Sequence, residues 1–166
     1  MEIINKRRSI RTYKDIQVEK EKVEKLLRAA MQAPSAYNQQ AWEFIVIENK
    51  ETLNKLSMMS LYAKPVEKAP LAIIVLANNQ NVKVPECWQQ DLGAATENLL
   101  LEAVELGLGG VWMAVAPFED RMSYIKDMFK LPDSILPYSV ISVGYPVDEM
   151  QFIDRYDKSK VHFEKW

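Results

Sequence analysis

The sequence feature that most constrains the fold is a continuous run of apolar, largely β-branched residues from Leu71 to Ala77 (LAIIVLA). A short run of this kind predicts a β-strand that is buried on both faces. The chain has 166 residues, enough for one domain that buries about two-thirds of the surface exposed by its unfolded form. We therefore expect a single domain over residues 1–166 with this strand inside it.

Helical and strand patterns surround this run. Apolar residues recur at helical spacing over residues 19–33, and Pro34 ends that helix because proline disfavours the helical conformation in the residue before it. The remaining predicted elements are a strand at Trp42–Ile47, a helix from Asn49 to Met59, a helix from about Gln89 to Leu106, a loop or strand at Gly109–Ala116, a helix at Phe118–Phe129 and a strand at Ile135–Val143. This mixture of helices with about four strands indicates the α+β or mixed α/β class.

The long helix in the middle of the chain has much apolar surface. Its polar residues Glu97, Asn98, Glu102 and Glu105 fall within one stripe about 140° wide, and the rest of its circumference is largely apolar. Two interpretations are open, and the pattern favours neither. Part of this surface is a subunit interface, or the helix lies at the centre and is covered by its own domain.

Composition excludes several classes of protein and site. The net charge is −2 and charged residues of both signs make up 27% of the chain, which argues against a nucleic-acid-binding surface. A single cysteine, Cys87, cannot form an internal disulfide, and a single histidine, His162, cannot supply a multi-histidine metal site. No run approaches the roughly 18 apolar residues of a membrane span, and the N-terminal residues lack the apolar core of a signal peptide. We expect a cytoplasmic protein without a metal, a nucleic-acid partner or a membrane segment.

The arginine segment, defined as residues 7–11 (RRSIR), carries three guanidinium groups and a hydroxyl. Glycine motifs that cradle phosphates, G-x-G-x-x-G and G-x-x-x-x-G-K-[ST], are missing from the sequence, so side chains would have to hold a phosphate. Arginine presents a planar fork that matches phosphate oxygens in pairs, and Ser9 adds a further donor. Taken alone, however, the segment fits an exposed basic stretch better.

The amide loop, defined as residues 34–40 (PSAYNQQ), follows the first long helix. Its amide and hydroxyl groups could pair with a ring system that alternates carbonyl and N–H groups, although ordinary turn chemistry explains them better in isolation. The C-terminal tail, residues 147–166, shows little periodicity yet carries large apolar side chains. We expect these to lie against a surface, of their own chain or of a partner: Phe152, Ile153, Tyr156, Val161, Phe163 and Trp166.

Taken in order, four stretches of the chain resemble the nitroreductase family of flavin enzymes. They are the arginine segment, Ala33–Trp42 around the amide loop, Gln90–Ala95 with Leu106–Trp112, and Gly144-Tyr145-Pro146 followed by Arg155. Each stretch is weak evidence alone, but their succession in a chain of this compact size is specific. The resemblance spans nearly the whole chain.

The resemblance implies an α+β fold of the nitroreductase type, with a central, mostly antiparallel sheet flanked by helices, in an interleaved homodimer that binds two FMN molecules at its interface. It implies an enzyme that passes hydride from NADH or NADPH through FMN to a nitroaromatic, a quinone or a similar small acceptor by a ping-pong mechanism. FMN then carries the chemistry, no side chain is a catalytic acid or base, and Arg11 gives electrostatic support. The C-terminal tail would pack on the partner subunit.

The resemblance also implies a set of FMN-binding residues. Those expected at the phosphate and the pyrimidine edge are Arg7, Arg8, Ser9 and Arg11, with a further phosphate contact from Arg155. Those expected to reach the flavin from the other subunit are Pro34, Ser35, Ala36 and Asn38. Those whose backbone is expected beside the reactive flavin nitrogen are Trp112, Met113 and Ala114.

Two positions depart from the family pattern. Ala41 stands where proline is usual, and Ile153 stands where many members have a second cation near Arg155, so phosphate binding depends more on the arginine segment. Specialised relatives that dehalogenate or fragment a flavin tend to carry a lid, whereas the connection from Ser60 to Lys68 is short and favours an open site. A non-catalytic flavin carrier or a dimeric interaction module is the alternative from another class.

Overall fold

The described part of the chain folds around one sheet of four strands. The computed structural model describes residues 2–148 and 152–166. The strands are β1 (Trp42–Ile47), β2 (Leu71–Asn78), β3 (Gly109–Ala114) and β4 (Ile135–Gly144). Their order across the sheet is β1-β2-β4-β3, and every neighbouring pair is antiparallel. The expected antiparallel sheet is therefore confirmed.

The run from Leu71 to Ala77 forms the inner strand β2, as predicted. Trp42 of β1 lies opposite Ala77 on one side, and Val143 of β4 lies opposite Leu71 on the other. All seven residues of the run are buried. Successive side chains of a strand point to opposite faces of the sheet, so one unbroken apolar run fills two separate cores.

Helices cover both faces of the sheet. They are α1 (Glu2–Lys6), α2 (Lys20–Met31), α3 (Lys50–Leu56), α4 (Lys64–Lys68), α5 (Trp88–Glu105) and α6 (Glu119–Phe129). On one face, Leu26 of α2 and Leu99 of α5 pack with Ile73 of β2. On the other, Leu56 of α3 packs with Ile74, together with residues of α4 and α6. Among the described residues, none of the helices has both the length and the apolar character needed to cross a membrane.

The structure supports the second interpretation of the long helix for its buried side. Leu92, Leu99 and Ala103 of α5 are fully buried in the core that α2 and the sheet share. The domain itself thus covers this apolar surface. The helix stops at Glu105, and Gly107 follows with a φ of 73°, a conformation that glycine adopts at little cost.

Short elements account for most differences from the predicted pattern. The sequence predicts neither α1 nor α4, because five residues are too few to show helical periodicity. The helix predicted from Asn49 to Met59 begins as expected, since the Asn49 side chain accepts a hydrogen bond from the Thr52 N–H at 3.0 Å. Its α-helical part ends at Leu56, and a single 3₁₀ turn follows.

The C-terminal tail is not buried by its own domain. Every residue from 152 to 166 is exposed, and Phe163 is 83% exposed. Residues 149–151, which the predicted tail includes, lie outside the described residues. We expected the tail to lie against its own chain or against a partner. For the described part of the tail, the structure excludes the first of these two surfaces.

Candidate functional site

The arginine segment lies beside β3 at one edge of the sheet. Ser9 forms a parallel bridge with Gly110, and the Ile10 N–H donates to the Gly110 carbonyl at 2.9 Å. A β-carbon on Gly109 would lie 2.5 Å from Cγ1 of Ile10, closer than two carbon atoms can approach. The glycine pair at the start of β3 therefore makes room for the segment.

Tyr13 fixes the far end of the same stretch. Its hydroxyl donates to the Ile10 carbonyl at 2.6 Å and shares a second hydrogen bond with the Ser142 hydroxyl at 2.8 Å. Burial raises the pKa of the Tyr13 phenol, opposed in part by the bond to Ser142. The backbone of Tyr13 also bridges to Pro146. These contacts hold the arginine segment against the sheet at both ends.

The three guanidinium groups of the segment have different surroundings. Arg7 Nε lies 3.2 Å from the Glu97 carboxylate on α5. Arg8 donates from Nη1 to the Arg7 carbonyl at 2.6 Å, while its Nε and Nη2 are buried and have no hydrogen-bond partner among the described residues. Arg11 is exposed and donates weakly to the Ser9 carbonyl at 3.3 Å. Arg8 therefore has buried donors that an anion could use.

Arg11 opens onto a groove of about 330 Å³. The lining residues of the groove are Arg11, Leu61, Tyr62, Lys64, Pro65 and Lys68. Leu61 and Tyr62 are largely exposed, at 88% and 78%. The lining combines three cations with apolar walls, and within residues 2–148 and 152–166 it contains no acidic side chain. Such a lining suits a ligand with both anionic and flat apolar parts.

The amide loop lies at the opposite edge of the sheet, directly before β1. Its Ala36 N–H donates to Asp91 Oδ1 at 2.9 Å, and its Gln39 Nε2 donates to Asp91 Oδ2 at 2.5 Å. Gln40 donates from its backbone N–H to the Ser35 hydroxyl at 3.1 Å, and from its side chain to Asn38 Oδ1 at 2.9 Å. Most amide groups of this loop therefore hold the loop itself.

The third predicted group lies on β3 with the arginine segment. Trp112 is half-buried and its ring lies 5.7 Å from the Tyr138 ring, whereas Met113 is buried in the core on the opposite face. The Ala114 carbonyl accepts a hydrogen bond from Arg121 at 2.7 Å. The structure thus brings the Trp112–Ala114 backbone and the arginine segment onto the same edge of the sheet.

The structure does not bring the other predicted residues to this edge. Pro34 and Asn38 are exposed in the amide loop, and no hydrogen bond, ion pair or pocket in the described part of the chain joins that loop to the arginine segment. Strands lie about 4.8 Å apart, so β1 and β3, at opposite edges, are separated by about 14 Å. Arg155 is exposed in the tail, and its side chain makes no hydrogen bond or ion pair within residues 2–148 and 152–166.

Sequence reasoning assigned no role to four residues that shape this site. Asp91 and Glu97 on α5 bind the two predicted segments, yet in the sequence they resemble ordinary polar positions of a helix. Lys64 and Lys68 line the groove, and their spacing of four residues was a usable signal because it puts both on one side of a helical turn.

Known proteins resemble this chain over nearly its whole length. The family model described as "Nitroreductase family" matches residues 4–86 and 61–145. An NADH dehydrogenase/NAD(P)H nitroreductase of Archaeoglobus fulgidus is 44% identical over 170 aligned residues, covering 100% of this chain and 98% of that protein. The crystal structure of an NADH oxidase of Clostridium acetobutylicum is 57% identical, with a TM-score of 0.97 over 99% of each chain. A nitroreductase of Desulfovibrio desulfuricans, solved in complex with FMN, is 27% identical with a TM-score of 0.85 over 99% of this chain and 96% of its own.

Proposed function

The chain belongs to the nitroreductase family, and from this premise we propose that it passes hydride from NADH or NADPH through bound FMN to a nitroaromatic, a quinone or a similar small acceptor by a ping-pong mechanism. Dependence on FMN and on a nicotinamide donor accords with the relatives described above. We further propose that residues 1–166 form one flavin-binding domain that acts in the cytoplasm.

The observation that carries the proposal is that Arg8 has a buried edge with no hydrogen-bond partner among the described residues. A buried guanidinium nitrogen without a partner is unfavourable, because it has lost water and gained nothing in return. Nε and Nη2 of Arg8 are both in this state. A phosphate group would satisfy the two donors together, since the arginine fork matches a pair of phosphate oxygens. The residues present therefore fit the phosphate group of FMN.

The arginine segment would hold FMN along the edge strand β3. We propose that Arg8 is the main phosphate ligand and that Arg7, Ser9 and Arg155 assist it. Arg7 is already paired with Glu97, which orients its guanidinium but leaves fewer of its donors for a phosphate. The backbone of Trp112–Ala114 follows Gly110 on the same strand and would lie against the ring system.

Arg11 would act on the charge of the reduced cofactor. When bound, FMN accepts hydride from the nicotinamide donor and gives it to the acceptor. A fixed cation beside the pyrimidine edge stabilises the negative charge that develops there. Lys64 and Lys68 share the groove with Arg11, so they would raise the local concentration of an anionic dinucleotide. This chemistry requires no acid or base from the protein.

Two features support a homodimer with the flavin between its subunits. The amide loop and the arginine segment lie at opposite edges of the sheet. In a homodimer, Pro34, Ser35, Ala36 and Asn38 of one copy would reach the flavin that the arginines of the other copy hold. The described part of the C-terminal tail exposes its large apolar side chains, and a second copy would cover them.

Absorbance spectroscopy tests the proposal directly. We expect the purified protein to show an oxidised-flavin spectrum that bleaches when NADH or NADPH is added without oxygen. Subsequent addition of a quinone or a nitroaromatic should restore the spectrum, and initial-rate plots at several acceptor concentrations should give parallel lines. A yellow protein that neither nucleotide bleaches would contradict enzymatic function, and light scattering that shows a monomer would contradict the shared site.

A further inference from the structure

The amide loop has a backbone that needs external support. Tyr37, Asn38 and Gln40 have φ values of 50°, 52° and 47°, in the left-handed region that favours glycine. Three such residues among four successive positions form a costly conformation that persists when surrounding contacts fix it. Tyr37 is 77% exposed, so the tip of the loop does not pack on its own domain. The support must come from the base of the loop.

Asp91 supplies that support from the first turn of α5. Its side chain is buried, with 4% of the residue exposed, and it binds the loop at two points. Oδ1 accepts the Ala36 N–H at 2.9 Å, and Oδ2 accepts the Gln39 side-chain N–H at 2.5 Å. No Lys, Arg or His among the described residues lies within ion-pair distance of this carboxylate. Its charge is thus stabilised by neutral N–H donors of the loop and by its place near the positive end of a helix.

Gln39 passes this support to a third segment of the chain. Its Oε1 accepts the backbone N–H groups of Lys83 and Val84, each at 3.1 Å. Its Nε2 also donates to the Val84 carbonyl at 3.3 Å. The two accepted bonds fix which end of the amide faces Asp91, because an amide oxygen cannot donate. One carboxylate and one amide therefore join the loop, the segment before α5 and α5 itself.

We propose that Asp91, acting through Gln39, is a positioning residue that holds the amide loop in the shape in which it contacts FMN across the subunit interface. The inference rests on the proposed function, in which this loop reaches the flavin of the other subunit. It adds that two side chains, whose hydrogen bonds go to each other and to the backbone, determine how the flavin is held.

The pair offers a reciprocal exchange as its test. Asp91→Asn keeps the shape but turns one acceptor into a donor, so two NH₂ groups would face each other. Gln39→Glu does the opposite, and two carboxylates would face each other. The double variant D91N/Q39E restores one donor opposite one acceptor, with the direction of the hydrogen bond reversed. The long bond from Gln39 to the Val84 carbonyl, at 3.3 Å, is not restored, because a carboxylate oxygen cannot donate. Asp120→Asn, in the exposed first turn of α6, is the matched control.

We expect each single variant to raise the Kd for FMN at least tenfold and to change the visible circular dichroism of the flavin and kcat at saturating FMN. The double variant should bind FMN more tightly than either single variant, but less tightly than the unchanged protein, because the Val84 carbonyl has lost its donor. D120N should match the unchanged protein throughout. A role in stability alone would move the thermal midpoint of the singles but not the dichroism or kcat at saturation.

Two outcomes would overturn the inference. Singles that bind FMN with unchanged affinity and dichroism would show that the loop needs no such support. Failure of the double variant to recover, when it folds and dimerises like the unchanged protein, would show that the pair does not act as a unit. Both outcomes assume an unchanged protein that binds FMN and is reduced by NAD(P)H. If it does neither, the proposed function fails instead.

Discussion

The arginine segment and the amide loop are held in opposite ways. The arginine segment is bound chiefly through its backbone, by the bridge from Ser9 to Gly110 and the hydrogen bond of the Ile10 N–H. The amide loop is bound chiefly through side chains, with Gln39 and Asp91 at its base. A segment held by its backbone keeps its side chains for a ligand. A loop held by its side chains has mainly its backbone and remaining N–H and O–H groups to offer.

The largest effect should come from Arg8, whose side chain the backbone pairing leaves free. Arg8→Met should weaken FMN binding by roughly 10- to 150-fold, the equivalent of about 1.5–3 kcal/mol for hydrogen bonds to a charged group. The same change should leave the FMN-free protein as stable or more stable, because it removes two buried unpaired donors. Flavin fluorescence titration and thermal denaturation without FMN measure the two quantities.

Arg28→Met is the matched control for this prediction. Arg28 is an exposed arginine on α2 that pairs with Glu24 four residues before it. Removing it should change neither FMN affinity nor stability by more than a few tenths of a kcal/mol. If Arg8→Met keeps full FMN affinity, the arginine segment does not bind FMN through the Arg8 side chain that its backbone pairing leaves free.

A substitution of Gly109 tests whether the backbone pairing of the arginine segment requires a residue without a side chain at this position. Gly109→Ala puts a methyl group against Ile10 and should lower the free energy of unfolding by about 1–3 kcal/mol. FMN affinity should fall with it, because the whole segment has to move. Gly107→Ala is the control: its φ of 73° strains alanine, but the added carbon meets nothing within 4 Å, so stability should fall without loss of FMN.

Tyr13 tests the side-chain contribution to the same segment. Tyr13→Phe should cost about 1–2 kcal/mol of stability, because the Ile10 carbonyl and the Ser142 hydroxyl each lose a partner. The folded state raises the pKa of Tyr13 above its ordinary value near 10. The folded protein thus keeps this proton after the unfolded chain has lost it, so stability should fall as the pH rises above 10.

Thermal midpoints between pH 8 and pH 11 check this prediction. The decline above pH 10 should be shallower in Tyr13→Phe than in the unchanged protein. Tyr124→Phe is the control, since it removes a similar hydroxyl bond, to the Lys55 carbonyl at 2.6 Å, which joins α6 to α3. An FMN affinity reduced equally in both variants would show that the effect is not specific to the arginine segment.

We expect the smallest effect from a substitution of Asn49, which should change stability without changing FMN binding. Its side chain caps α3 through a hydrogen bond to the Thr52 N–H, and Asn49 belongs to neither predicted binding segment. Asn49→Ala should lower stability by about 1 kcal/mol and leave the Kd for FMN unchanged. Chemical denaturation and fluorescence titration measure both, and a weaker Kd here would mean that FMN affinity simply follows stability.

Much of the fold could be predicted from the sequence because its elements have strong local signals. The run at Leu71–Ala77 has too many β-branched residues for a helix and too few polar ones for an exposed strand. The cap at Asn49 and the stop at Gly107 each follow from the chemistry of one residue. The order of strands in the sheet has no such local signal, since it depends on which apolar faces meet.

The candidate site was predictable in its parts but not in its connections. The arginine segment and the amide loop are visible as unusual groups of side chains. Nothing in the sequence indicates that Asp91 faces the amide loop or that Glu97 pairs with Arg7, because these contacts join residues that are more than 50 positions apart. Burial also distinguishes residues of the same type. Arg8 and Arg11 look alike in the sequence, yet of these two arginines only Arg8 has buried nitrogens without a hydrogen-bond partner among the described residues.

Helix α5 carries the anchors of both regions, Asp91 for the amide loop and Glu97 for Arg7. The two residues are six positions apart, or about 9 Å along a helix that rises about 1.5 Å per residue. Insertion or deletion of one residue between them would turn one anchor by about 100° relative to the other and detach one of the segments. The number of residues between Asp91 and Glu97 therefore cannot change without the loss of one of the two contacts, whereas loops tolerate extra residues.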